Sequence, residues 1–326
     1  MSGCIQRGLL ADLGGTNARF AVGQISPNGE VAITQSASLR VRDYATADAA
    51  LEAYLQRASG DRFDFAALAC AGPVEAGRVN LTNLGWRLSE CELAAALGLE
   101  RVKVLNDLAA VAWAAPALGH ADLRAVGAAP FRPGIIAVLG VGTGSNCAVS
   151  VPGAAEGDVV LVGEAGHAGF APCDELEIEI WRRLNARFGR VSVERLASGP
   201  GVLNIYLALC DIAGSRPGCE TPEAVSLLAD GGDAIADQAL DRFALVLGGV
   251  AGDCALASGA RSLYVAGGVA PGLLTADRTA AFRARFEDKG RFAARMEQIG
   301  VFIIVHPHAS MIGAERAANL SVRSAA

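Results

Sequence analysis

Short apolar runs that end in glycine or in an Asn-Asp pair recur along the chain. They read GLLADLGG, FAALACAG, VKVLND, IIAVLGVGTG and SLYVAGG, and each predicts one strand. Between them apolar positions return at helical spacing, which predicts helices over 46–58, 89–97, 174–188, 233–257 and 311–320. Strands alternating with helices predict an α/β protein. Pro and Gly cluster at 118–134 and again at 213–222. The first cluster is the expected domain boundary, the second a loop inside the later domain.

One pattern occurs twice. LLADLGGTNARFAV at 9–22 and IIAVLGVGTGSNCAV at 135–149 each carry an apolar strand, a glycine turn with a threonine, and a second apolar strand. Glycine at such turns removes side chains and lets backbone N–H groups converge on an anion. Either hairpin alone is explained as an ordinary glycine turn. As a matched pair, with Thr16 and Thr143, they point to phosphate. Only the first copy places a carboxylate, Asp12, at its strand end. A lone carboxylate beside phosphates suits Mg²⁺, which keeps waters and takes few protein ligands, so Asp12 is the expected anchor, through water. No G-x-x-x-x-G-K-[ST] loop occurs, and GTNAR leads into a strand rather than a helix, which excludes a dinucleotide fingerprint. Gly267 and Gly268 in SLYVAGGVAP suit close approach of an adenine or ribose, and equally a plain strand-to-helix turn.

The stretch VLNDLAAVAWAAPAL places Asn106 and Asp107 in otherwise apolar surroundings, before a helix expected over 108–115. A buried carboxylate is costly unless paired. One explanation is a helix cap; the other is chemistry. Glu164 and His167, three residues apart among glycines in GEAGHAGF, either decorate a surface loop or face one ligand. Glu194, in SVERLASGPG, either pairs with Arg195 at the surface or joins them.

Composition narrows the class. A length of 326 residues suggests two domains, and 52% hydrophobic against 19% charged residues provides ample core. The net charge of −6 comes with no basic tract, which argues against nucleic acid. The apolar run near the start is too short for a signal segment, and no stretch is long enough for a membrane span. The eight cysteines form no C-x-x-C pair, so neither a zinc site nor a disulfide framework is expected, and the reading is a cytoplasmic enzyme with reduced thiols.

DLGGTNARFAVG, VLNDLAAVAWAAPAL, GVGTG, GEAGHAGFAP, SVERLASGPG, VAGGVAP and FEDKGRF occur in this order. The ordered set resembles the bacterial ATP-dependent glucokinases of the hexokinase–actin–chaperone ATPase superfamily, from about Leu9 to Gly313. The resemblance implies a two-domain α/β fold of the actin-like ATPase (ribonuclease H-like) type with an interdomain cleft. The small domain would comprise 1–117 plus 307–326, the large one 118–306. It implies ATP and Mg²⁺ as cofactors. The phosphates would be held at Gly14, Gly15, Thr16, Asn17, Gly142, Thr143 and Gly144, the adenosine end at Gly267 and Gly268, and the metal at Asp12. Asp107 would be the general base toward the sugar 6-hydroxyl. Asn106, Asp107, Glu164, His167 and Glu194 would bind glucose. The family also suggests a homodimer.

Two features qualify the match. The second phosphate turn, which commonly continues GTGLG in this family, here continues with Ser145 and Asn146. FEDKGRF, at 286–292, suits a solvated helix end or turn and has no assigned chemistry. Rival readings are a kinase for mannose, fructose or an N-acetylhexosamine, and a non-catalytic sugar sensor. The repressor–kinase branch typically adds a zinc-binding cysteine cluster after its Gly-His motif, where this chain has Cys173 alone. A sensor would carry a DNA-binding segment before the first glycine turn, where there is no room for one, and would have no need of Asp12 and Asp107.

Overall fold

The computed structural model describes residues 5–27, 30–58, 62–81, 84–153 and 158–323. The chain divides into two compact units. Unit 1 is Met1–Leu118, Pro152–Val160 and His306–Ala326; unit 2 is Gly119–Val151 and Leu161–Val305. The expected large domain, 118–306, was continuous; the division instead assigns Pro152–Val160 to unit 1. Asp158, in that segment, accepts from Arg316 at 3.4 Å in a helix of unit 1.

Unit 1 begins with β1 (Gln6–Leu13), β2 (Asn17–Ile25), β3 (Val31–Arg40), α1 (Ala47–Leu55) and β4 (Phe65–Cys70). A small antiparallel sheet follows, of β5 (Val74–Glu75), β6 (Arg78–Leu81) and β7 (Trp86–Ser89), then α2 (Glu90–Leu97), β8 (Val102–Asn106) and α3 (Asp107–Ala114). Its main sheet has the order β3-β2-β1-β4-β8. β1 and β2 form the antiparallel hairpin, while β1, β4 and β8 run parallel. Every residue of β4 is buried, as expected of a central strand covered on both faces.

The sheet of unit 2 contains β9 (Leu123–Val126), β10 (Ile136–Val141), β11 (Ser145–Val151) and β12 (Val159–Val162), whose first two residues the division counts with unit 1; α4 (Glu175–Phe188), α5 (Gly199–Ile212), α6 (Pro222–Asp230) and α7 (Ala234–Ser258) follow. The unit closes with β13 (Ser262–Ala266), α8 (Val269–Leu273), α9 (Ala276–Glu287), α10 (Ala293–Met296) and β14 (Gly300–Ile304). The sheet order is β12-β11-β10-β13-β14-β9. Apart from β9 this repeats the strand order of unit 1: a third strand beside an antiparallel hairpin, then two strands parallel to the hairpin's first. The twofold motif in the sequence is therefore the opening hairpin of two sheets with one topology.

The last helix, α11 (Ala309–Arg323), belongs to unit 1. Met311, Ala314 and Ala318 pack with Ala110 of α3 on Leu10, Phe65, Ala67 and Ala69. Gly313 permits this. A β-carbon there would lie 2.6 Å from the Ala110 carbonyl carbon and 2.7 Å from the Ala114 nitrogen. No helix of the described residues is long and apolar enough to cross a membrane.

FEDKGRF is the end of α9 and the turn after it, exposed at Asp288, Gly290, Arg291 and Phe292, and it is also tied into unit 2. Phe286 is buried and stacks on Phe282 at 6.3 Å. Lys289 crosses to α7, donating to the Gly249 carbonyl at 2.9 Å and to Asp253 at 2.6 Å. Of the run's two aromatic residues, Phe286 lies on the buried face of α9 and Phe292 is exposed.

Candidate active site

In unit 1 the register brings the two expected carboxylates to one edge. Asp12 pairs across to Ala69, and Cys70 pairs to Asn106. Asp12 thus lies one residue before the end of β1, and Asp107 one residue beyond β8. Both stand at the carboxyl ends of parallel strands, where ligands of open α/β sheets bind. Gly14, Gly15 and Thr16 form the turn beside them, closed by the Gly14 N–H donating to Asn17 O at 3.0 Å. A β-carbon at Gly15 would meet nothing within 4 Å, so this turn presents open backbone.

Asn106 caps α3. Its Oδ1 accepts from the Leu108 and Ala109 N–H groups at 3.0 and 3.1 Å, and its Nδ2 donates to the Gly72 carbonyl at 3.0 Å. The same side chain also hydrogen-bonds the Asp107 carboxylate beside it. Asp107 also accepts from the Leu108 N–H, at 2.8 Å. Burial pushes the Asp107 carboxyl above its ordinary value; the Leu108 N–H works against that rise and the charge of Asp12 adds to it. A half-buried carboxylate made more basic by burial, which the Leu108 N–H, its own N–H and the Asn106 side chain offset only in part, is suited to accept a proton.

Three neighbours were not singled out by the sequence. Arg19, opposite Asp12 in the β1–β2 register, donates to it at 3.3 Å. The Cys70 thiol is held protonated by burial first, then by the charges of Asp107 and Asp12. The His308 pKa is lowered by burial and by the charges of His306 and Arg19, while that of Asp12 works against them. These are cross-strand or long-range relations, and no local spacing signals them.

Asp12 fits a magnesium ligand. It offers a hard carboxylate, about a fifth exposed, to which Arg19 is the ion-pair partner. Among the described residues no group of three or more His, Cys, Asp or Glu could hold a metal. Such sparse protein ligation is what Mg²⁺ accepts when water and phosphate oxygens complete its shell.

Unit 2 holds the second turn and the other expected ligands. Gly142 N–H donates to Gly144 O, and Gly142 O accepts from Gly199 N–H, both at 2.8 Å, which ties the turn to the start of α5. Ser198 caps that helix, accepting from Gly201 N–H at 3.1 Å. Glu194 accepts from the Ser145 N–H at 3.0 Å, and a β-carbon at Gly144 would come within 2.5 Å of its Oε2. Glu194 therefore lies against the turn that carries Thr143. It makes no ion pair with Arg195, whose guanidinium stacks over Phe188 at 3.9 Å. Glu164 precedes a short 3-10 turn that ends at His167, and both are exposed, the His167 N–H donating to Glu164 O at 3.0 Å. Asn146 donates to Glu164 Oε2 at 3.2 Å. Gly267, at φ +99°, leaves no room for a side chain against the Val141 carbonyl, so packing onto β10 already requires glycine there; at Gly268 the space is open.

Two α/β units with one sheet order apart from β9, each opening on a glycine-turn hairpin, define the class as an actin-like ATPase fold. Comparison with known proteins agrees. The glucokinase family model matches residues 9–321. A glucokinase of Caulobacter vibrioides is 40% identical over 311 residues, covering 94% of this chain and 93% of the relative. The crystal structure of a glucokinase from an Antarctic psychrotroph superposes with a TM-score of 0.87 at 33% identity, covering 96% of this chain and 99% of that one. A ROK-family glucokinase from Streptomyces griseus, solved with glucose and AMPPNP, shares the fold with a TM-score of 0.63 at 21% identity, covering 96% of this chain and 99% of that one. The chain belongs to the glucokinase family of ATP-dependent hexose kinases.

Proposed function

We propose that this chain transfers the γ-phosphoryl group of MgATP directly to the 6-hydroxyl of glucose, with Asp107 as general base. The observation that carries the reading is the pairing of a basic, half-buried Asp107 with Asp12 beside an open glycine turn, at the carboxyl edge of one sheet. A primary alcohol is a poor nucleophile. Asp107 takes its proton as the bond to phosphorus forms, and phosphoryl transfer otherwise requires positioning and charge stabilisation. The backbone of Gly14 to Asn17 and of Gly142 to Gly144 cradles phosphate oxygens, with Thr16 and Thr143 as hydroxyl donors, and Gly267 and Gly268 border the nucleoside. Asp12 would hold Mg²⁺, which when bound would offset charge on the transferring phosphoryl group.

Asn106, Glu164, His167 and Glu194 bind the remaining sugar hydroxyls. Directional partners at several hydroxyls penalise an epimer that leaves one of them unpaired. The family likeness also supports a cytoplasmic homodimer. The test is ADP release with MgATP and glucose, mannose, fructose, N-acetylglucosamine or no sugar. Strong turnover with glucose is expected. Turnover with another hexose instead would replace the substrate. No turnover with any sugar, in protein that binds ATP, would overturn catalysis in favour of a sugar sensor.

A further inference from the structure

Asn146 occupies the second phosphate hairpin at a position of known register: it pairs with Gly140, one step before the closing Val141–Ser145 pair. In the first hairpin the equivalent step is Asp12 with Arg19, one before the closing Leu13–Ala18 pair. There the outer-strand residue, Arg19, donates to the carboxylate opposite. In the second hairpin Gly140 offers no carboxylate, and the Asn146 amide turns instead to Glu164, on the loop of Glu164 and His167.

The orientation of the amide is fixed by its other end. Asn146 Oδ1 accepts from its neighbour Cys147 N–H at 2.8 Å and from Ala165 N–H at 2.9 Å. Both are donors that only the carbonyl end can satisfy, so the NH₂ end must face Glu164. One side chain on a strand thus holds the loop twice, through the Ala165 backbone and through the Glu164 carboxylate. The loop is also pressed against the same strand at Gly166, where any β-carbon would overlap the Ser145 carbonyl. With Oε2 engaged by Asn146, Oε1 of this exposed carboxylate is left for a ligand.

We propose that Asn146 is a positioning residue for sugar recognition: it orients Glu164, and so couples the second phosphate turn to the sugar-binding loop. The inference rests on the reading of Glu164 as a sugar ligand. A carboxylate on a loop wanders among rotamers, and a fixed donor on a sheet removes that freedom before the sugar arrives.

The decisive variant is Asn146→Asp. It keeps an oxygen for the Cys147 and Ala165 N–H groups and replaces only the donor to Glu164, setting two carboxylates face to face. Losing a hydrogen bond to a charged group predicts a rise in glucose KM of about tenfold or more, with kcat and the KM for ATP little changed. In a Glu164→Ala background the same substitution should add nothing. A fall in kcat with both KM values rising and the melting temperature dropping would mean a structural role only, and would overturn the proposal. An unchanged glucose KM in Asn146→Asp, where Glu164→Ala raises it, would also overturn the positioning role while leaving Glu164 a ligand. If Glu164→Ala itself leaves the glucose KM unchanged, the underlying reading of Glu164 is wrong. Should Asn146→Asp not fold, Asn146→Ser, which withdraws the donor from reach, is held to the same outcomes.

Discussion

Replacing Asp107 by asparagine separates its chemistry from its structural work. Asparagine has the same shape, and its Oδ1 can still accept the Leu108 N–H that Asp107 takes at 2.8 Å. The Asn106 cap, with its bonds at 3.0 and 3.1 Å, is untouched, so α3 should stay in place. Basicity alone is lost. General base catalysis contributes roughly 10²- to 10⁴-fold, which is about 3 to 5 kcal/mol of transition-state stabilisation. Asp107→Asn should therefore lower kcat by that factor in a coupled ADP-release assay, with glucose still binding.

Stability should move the other way. Burial raises the carboxyl pKa in the folded protein. A group shifted in that direction favours the folded state below its unfolded pKa and loses that contribution as pH rises through the folded pKa. At pH 7 the wild type bears the whole cost of a desolvated carboxylate that the amide does not carry. The variant should melt at or above the wild-type temperature at neutral pH, and the difference should shrink on acidification toward the ordinary aspartate range. For the same reason kcat/KM of the wild type should fall with acidification through a pKa above the ordinary value of 3.8. Near-normal turnover in Asp107→Asn, or a melting temperature well below that of the wild type, would refute this account.

Asp12→Ala should raise the Mg²⁺ concentration needed for half-maximal turnover while glucose binding, followed by intrinsic fluorescence, persists; identical Mg²⁺ titrations would remove Asp12 as the anchor. Gly313→Ala should destabilise unit 1 by about 1–3 kcal/mol through overpacking, outweighing the roughly 1 kcal/mol gained in helix propensity, as read by urea denaturation. Glu177 is 1% exposed and bound by Arg242, Arg285 and the Cys173 N–H at 3.0, 3.0 and 2.8 Å. Its replacement by alanine should cost about 1–3 kcal/mol, since Arg242 and Arg285 keep Asp174 as a partner while their bonds to Glu177 are lost, and an unchanged denaturation midpoint would contradict that.

The sheets were legible where strands are buried on both faces. FAALAC and IIAVLGV announce themselves as unbroken apolar runs, and β4 and β10 are nearly fully buried. β3 was not legible, because most of its residues lie partly or fully at the surface and its sequence, VAITQSASLR, mixes polar and apolar positions. β5 to β7 are too short to carry a period. In the site, Asn106 and Asp107 stood out as polar residues in an apolar segment. The cap that this contrast suggested is present, and the carboxylate beside it is half-buried. The Arg19–Asp12 and Asn146–Glu164 bonds could not be read, since they depend on which residues face each other once strands and loops have assembled.

α11 has a consequence for the order of events during synthesis. Unit 1 draws its first strands from the start of the chain and its covering helix from residues 309–323, with unit 2 made in between. Until that helix emerges from the ribosome, the face of the sheet formed by Leu10, Phe65, Ala67 and Ala69 lacks Met311, Ala314 and Ala318. Domains of a growing chain fold as units, the earlier before the later. Here the unit begun first is completed last, so a nascent chain exposes an apolar face that calls for chaperone protection. Asp12 and Asp107 stand at the edge of that same unfinished sheet.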